Sequence, residues 1–194
     1  MNSANRLTTT MGADTLVSES NRHGTMVIRR ALTDDAHGVA VVHVSSWQHA
    51  YRGIVPQAHL DQLSIADREK RWVEIFDRSD SETLVADAGD CIVGFVSYGK
   101  SRRERAERDE GEIYALYVSS SYWSTGVGRL LWEAALARLR ELRCVRAIVW
   151  VLAANDRAIQ FYERVGFSLC KGSETTVEIG GERLPEVRYD IAIA

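Results

Sequence analysis

Two glycines one residue apart, Gly126 and Gly128, stand where an apolar strand pattern gives way to a helical one. A strand feeding a glycine-containing turn and then a helix presents backbone amides with no partner inside the helix. The helix dipole points its positive end at that turn, and glycine lets an anion approach the backbone closely. The chemistry this spacing can do is therefore the cradling of a phosphate. It is not the dinucleotide frame, because Leu131 stands where a third glycine is needed, and no Gly-Lys-Ser/Thr follows as in a P-loop. Taken alone, the pair also fits a tight strand-to-helix connection with no ligand.

The elements that position this turn can be read on either side. Ile113, Ala115 and Tyr117 alternate with Tyr114, Leu116 and Val118, so both faces carry bulk, as in a strand buried on both sides. Beyond the turn, Val127, Leu130, Leu131, Ala134 and Ala135 make a one-sided helical stripe. A second apolar strand, Val145 to Val151, precedes Asn155, which has the chemistry of an N-cap. Ala158, Phe161, Tyr162 and Val165 then form a buried stripe, and Gly166 stands where that helix ends.

With these residues in place the chain resembles the GNAT family, the Gcn5-related N-acetyltransferases. The family's central motif, Q/R-x-x-G-x-G/A between strand and helix, reads here Trp123-Ser124-Thr125-Gly126-Val127-Gly128. Tryptophan replaces the Gln or Arg at its first position. The second motif, N-x-x-A-x-x-F-Y-x-x-x-G-F, runs from Asn155 to Phe167. The wider pattern covers roughly Met26 to the C-terminus. The resemblance implies an α/β fold of the α+β type: a mixed, mostly antiparallel sheet of about seven strands, flanked by about four helices. In that fold a splayed strand pair holds acetyl-CoA.

The rest of the chain is consistent with one domain. It has 194 residues, 45% hydrophobic and 26% charged, as in an ordinary soluble protein. A net charge of −3 gives no global attraction to nucleic acid or anionic membrane. No apolar run approaches the ~20 residues of a membrane span, and no signal-peptide pattern opens the chain. Cys91, Cys144 and Cys170 are scattered and odd in number, reading as reduced thiols of a cytoplasmic protein. Residues 1–24 are polar without period and read as a flexible extension, with the domain at 25–194. The first strand is expected at Val27 to Ala31, a helix follows from Thr33 or Asp34, and His43 on it reads as a packed helical residue. A covering helix is expected near Ile65 to Arg78, then hairpin strands at Thr83 to Ala86 and Cys91 to Tyr98. Arg102, Arg103, Arg105 and Arg108 mix with Glu104, Glu107, Asp109 and Glu110, which reads as a solvated loop rather than a phosphate patch.

The resemblance also implies chemistry. Acetyl-CoA would be the donor, a primary amine the acceptor, and no metal is required. The pantetheine arm would pair with the backbone at Leu116, Tyr117 and Val118, with Asn155 touching it. The pyrophosphate would rest on the amides from Ser124 to Arg129, where the Arg129 side chain either adds a contact or faces solvent. Tyr162 matches the acid that protonates the leaving thiolate. Glu112 matches the base of the family's histone-acetyltransferase branch; a strand-end surface carboxylate and a water relay are the alternatives. Such a base is needed because an amine with a reference pKa of about 10.4 is protonated at neutral pH. Trp47, Tyr51 and Tyr114 are candidates for the acceptor pocket, although Trp47 and Tyr51 could equally pack the core. The glutamate base of the ribosomal-protein branch is replaced by Trp150. Three readings follow: an N-acetyltransferase on a small amine (an amino acid, polyamine or antibiotic amine), one on a protein N-terminus or lysine, and a non-catalytic acetyl-CoA sensor. A homodimer is expected from the family's habit of pairing.

Overall fold

The apolar runs become the centre of one mixed sheet, and the polar ones become its edges. The computed structural model describes residues 15–21, 24–102 and 109–194. Its strands are β1 (Thr15–Asn21), β2 (Gly24–Arg30), β3 (Ser81–Asp87), β4 (Ile92–Lys100), β5 (Glu110–Val118), β6 (Arg146–Leu152), β7 (Ser168–Leu169), β8 (Thr175–Ile179) and β9 (Glu182–Ala192). Their order is β1-β2-β3-β4-β5-β6-β9-β7, with β8 also on β9. Every neighbouring pair is antiparallel except β5 and β6. Parallel neighbours need a crossover, and helix α4 (Val127–Glu141) supplies it.

Helices cover both faces. On one, α4 and α5 (Asp156–Arg164) close the larger core, with Leu131 and Leu139 of α4 fully buried. Burial of each such leucine stabilises the fold by about 1.5–3 kcal/mol. On the other face, α1 (Ala36–Ala50) and α3 (Ile65–Phe76) pack Val39, Ala40 and Trp72 against Val85 and Phe95. A five-residue helix, α2 (Gln57–Asp61), follows α1. The start of α1 is tied to the sheet by Arg29, whose guanidinium donates to Asp35 (2.7 and 2.8 Å) and Asp87 (2.8 and 2.9 Å). Burial opposes ionisation of Asp35, but hydrogen bonds from Arg29 and the Leu32 amide outweigh it and hold the carboxyl below its usual range.

Two features of β5 decide the site. It pairs with β6 only from Glu110↔Arg146 to Ile113↔Val149; beyond that the two strands diverge. Against β4, Ser97 faces Ala115 and Tyr98 faces Ile113, so Tyr114 is an extra residue in a bulge. A bulge bends its strand and re-aims the side chains beside it.

The expected sheet is present, with two more strands and one more helix than anticipated. The additions are β1, β8 and α2. Part of the stretch read as a flexible extension, Thr15–Asn21, is an edge strand antiparallel to β2. An edge strand draws its hydrogen bonds from a neighbour and needs no apolar period, so its polar sequence concealed it. The rest of that stretch, residues 1–14 and 22–23, lies outside the described residues, as do Arg103, Glu104, Arg105, Glu107 and Arg108.

Candidate active site

A cleft of about 610 Å³ opens where β5 leaves β6. Its walls are β5 from Ile113 to Val118, β6 from Val149 to Val151, the turn before α4, and the α5 face bearing Asn155, Arg157, Phe161 and Tyr162. Ser46, Ala50 and Tyr51, at the end of α1, close the other side.

The turn is shaped by two left-handed residues. Ser124 has φ 61° and Gly126, the residue before α4, has φ 99°. Alternation of left- and right-handed backbone points successive amides into one concavity that suits an anion. Gly126 is required for its conformation, since a Cβ there would meet open space. Gly128 is required for packing, since a Cβ there would lie 3.3 Å from the Phe161 ring. The turn is held by Thr125, whose hydroxyl donates to the Tyr122 carbonyl at 2.7 Å. Trp123, the departure from the family motif, donates from its indole N–H to the Val118 carbonyl at 2.8 Å. The Ser46 hydroxyl donates to that same carbonyl at 3.3 Å. The Val118 carbonyl is thus occupied by the protein itself, which moves the free strand backbone towards Leu116 and Tyr117.

Asn155 and Tyr162 sit where the motif implied. The Asn155 side chain accepts from the Ala158 amide at 3.1 Å, capping α5 while lining the cleft. Tyr162 is buried between Phe161 and Phe167, each ring 5.3 Å away and edge-on. Burial first, and the neighbouring Tyr51 second, push its phenol well above the ordinary tyrosine range, so it stays protonated at neutral pH.

The end of the cleft beside α1 is aromatic. The Tyr51 and Tyr117 hydroxyls lie 3.1 Å apart, and both residues line the cleft. Burial raises both phenols. Trp47 does not line the cleft; its ring lies edge-on to Tyr51 at 4.9 Å, in a cluster with Val55, Leu60 and Leu152. It therefore supports Tyr51 from behind, because one helical turn separates the two along α1. His43 stacks on Tyr117 at 5.3 Å and accepts at Nδ1 from the Trp72 indole at 3.2 Å. Burial, with Arg68 and Arg71 nearby, lowers its pKa to about 3, so the ring is neutral. Tyr114 lines the cleft, donates to the Lys100 carbonyl at 2.5 Å, and carries the Arg102 guanidinium 4.1 Å above its ring.

Glu112, like Trp47, is a candidate that the structure does not bring to the cleft. Its carboxylate accepts from the Ser101 hydroxyl at 3.1 Å and the Arg102 amide at 3.4 Å, holding the end of β4. The bulge at Tyr114 separates it from the unpaired stretch of β5. Arg129 does line the cleft, but its guanidinium is engaged: Nε donates to Glu133 at 2.7 Å in an exposed pair along α4. Ser46 and Arg157 are among the cleft residues that escaped the sequence reading. Ser46 carries no signal in its local sequence. Arg157, two residues after Asn155, was legible only as an unassigned position of the motif.

Among the described residues, no group of three or more His, Cys, Asp or Glu is placed to hold a metal, and no helix is long and apolar enough to cross a membrane.

A mixed sheet that splays beside a helix N-terminus is the arrangement that the resemblance to the GNAT family implied, and the comparisons place the chain. Residues 43–167 match the model of the acetyltransferase (GNAT) family, and the chain belongs to that family of N-acetyltransferases. It is 33% identical over 163 residues to the uncharacterized N-acetyltransferase YuaI of Bacillus subtilis, covering 84% of this chain and 90% of that one. It is 28% identical over 131 residues to the mycothiol acetyltransferase of Propionibacterium freudenreichii, covering 68% of this chain but 39% of that longer protein. The fold matches the PaiA N-acetyltransferase of Thermoplasma acidophilum, solved in complex with coenzyme A. The TM-score is 0.69 at 18% identity, over 86% of this chain and 98% of that one.

Proposed function

We propose that the protein transfers an acetyl group from acetyl-CoA to the primary amine of a small molecule. The observation that carries this reading is the divergence of β5 from β6 directly beside the amide turn of α4, with Tyr162 in the wall between. The residues fit the donor. An extended arm can add to the unpaired strand edge through its amides. The concave turn suits a pyrophosphate, with about 0.3–1 kcal/mol from the helix dipole per charge. The bound donor would supply an activated acetyl thioester.

The protein's own groups do the remaining work. Backbone amides of β5 freed by the splay are donors for charge developing on the acetyl oxygen. Tyr162, kept protonated by burial, gives a proton to the departing sulfur. Because Glu112 is engaged away from the cleft, removal of the amine proton falls to water rather than to direct contact with this carboxylate. Tyr51, Tyr114 and Trp150 give the cleft aromatic walls, a surface that favours a small acceptor over an extended chain. The mycothiol acetyltransferase relatives, whose name is that of a small molecule, support the same side of the choice.

Calorimetric titration with acetyl-CoA, followed by thiol detection across a panel of small amines and peptides, tests the proposal. Binding with turnover on a small amine is expected. Turnover confined to peptides would move the acceptor to protein, and binding without turnover on any amine would leave a sensor.

A further inference from the structure

The motif position that usually offers Gln or Arg beside the phosphate turn is occupied by Trp123. Its indole is pinned to β5 through the Val118 carbonyl at 2.8 Å, so the ring is a fixed plate at the edge of the cleft. Over that plate lies the Arg157 guanidinium, 3.7 Å from the ring centroid. Trp123 and Arg157 both line the cleft together with Ser124, Gly126 and Gly128. Arg129, the other cation at this turn, is paired with Glu133. Arg157, by contrast, has no carboxylate partner among the described residues.

We infer that Arg157, stacked on Trp123, replaces the motif's missing polar side chain as the group that neutralises the donor's pyrophosphate. The reasoning rests on the acetyl-CoA reading above. A guanidinium on an indole face gains from cation–π attraction and keeps its N–H edge free for phosphate oxygens. Holding it there before the ligand arrives removes part of the ordering cost of binding. The substitution at position 123 thus exchanges a side chain from the turn for one from α5, two residues after the cap Asn155. Arg157 is exposed, so it can be changed without emptying the fold, whereas Trp123 is half-buried against the edge of the larger core.

The test is calorimetric, with acetyl-CoA and with S-acetylpantetheine, which lacks the phosphates. Arg157→Gln should weaken acetyl-CoA binding by about tenfold or more, the size of one lost charge-assisted contact. It should leave S-acetylpantetheine unchanged and flatten the salt dependence of acetyl-CoA binding. Trp123→Arg placed in the Arg157→Gln background should recover most of the loss by restoring the motif's own cation. Equal acetyl-CoA affinity for Arg157→Gln and the parent overturns the assignment while leaving the function intact. Equal weakening of both ligands also overturns it, since the role would then be structural. If the parent protein binds no acetyl-CoA, the functional reading fails and this assignment goes with it.

Discussion

At the donor end of the cleft the polar groups are backbone amides around Ser124, Gly126 and Gly128, held by local turns and one indole. At the acceptor end they are side-chain hydroxyls, Tyr51 and Tyr117, held by tertiary packing of α1 against β5. The first kind of site tolerates variation in side chains, because glycine conformation and a helix start do the work. The second depends on each ring staying where its neighbours put it. Buried as they are, its phenols and the imidazole of His43 are kept neutral, whereas Arg157 at the donor end is exposed.

The sharpest way to test this contrast is at Tyr162, where the ends meet. Tyr162→Phe should lower kcat by about 100-fold, at the lower edge of what a positioned acid contributes, with acetyl-CoA affinity unchanged. Steady-state rates beside calorimetry check it, and unchanged kcat removes Tyr162 as the acid. The alkaline limb of the parent's pH profile should lie above the ordinary tyrosine range, since burial raises this phenol.

Next in size is the pH dependence of stability at the acceptor end. His43 has a folded pKa of about 3, below the unfolded value near 6.5, so the unfolded chain binds its proton first. Its contribution favours folding at neutral pH and fades as pH falls from 6.5 towards 3. The loss should reach about 2 kcal/mol between pH 7 and pH 5. Denaturant titrations of the parent and His43→Gln should show a flatter acid limb in the variant; parallel limbs would mean the ring is not kept neutral.

At the donor end, Gly126→Val forces a β-branched residue to φ 99° and should weaken acetyl-CoA binding by about tenfold or more through distortion of the turn. Retained affinity would show that the cradle lies elsewhere. The smallest effect is expected from Glu112→Gln. Because that carboxylate holds Ser101 and Arg102 rather than facing the cleft, turnover on a basic amine should change by less than about threefold, with the same pH profile. A displaced profile would return Glu112 to the role of base.

The donor site was legible in the chain because its chemistry is local. The strand, the two glycines, the capping Asn155 and Tyr162 one and a half turns beyond its start all lie within short, periodic segments. Trp47 and Glu112 lie off the cleft for one reason: which face of a helix or strand meets the cleft depends on packing elsewhere. Trp47 lies one turn from Tyr51 yet sits behind it, and the bulge at Tyr114 breaks the alternation that would have carried Glu112 inward. Arg157 was invisible as a ligand for the same reason, since its stacking partner is 34 positions earlier in the numbering and on another element.

By itself the sequence determined the family, most of the strands and helices, the glycine turn before α4 and the cap of α5, because hydrophobic period, glycine spacing and caps act over a few residues. Only the tertiary structure decided where β5 leaves β6, that the Tyr51 and Tyr117 hydroxyls meet, that β1 joins the sheet, and which arginine stacks on Trp123. Those outcomes rest on contacts between segments far apart in the chain, and local pattern carries no record of them.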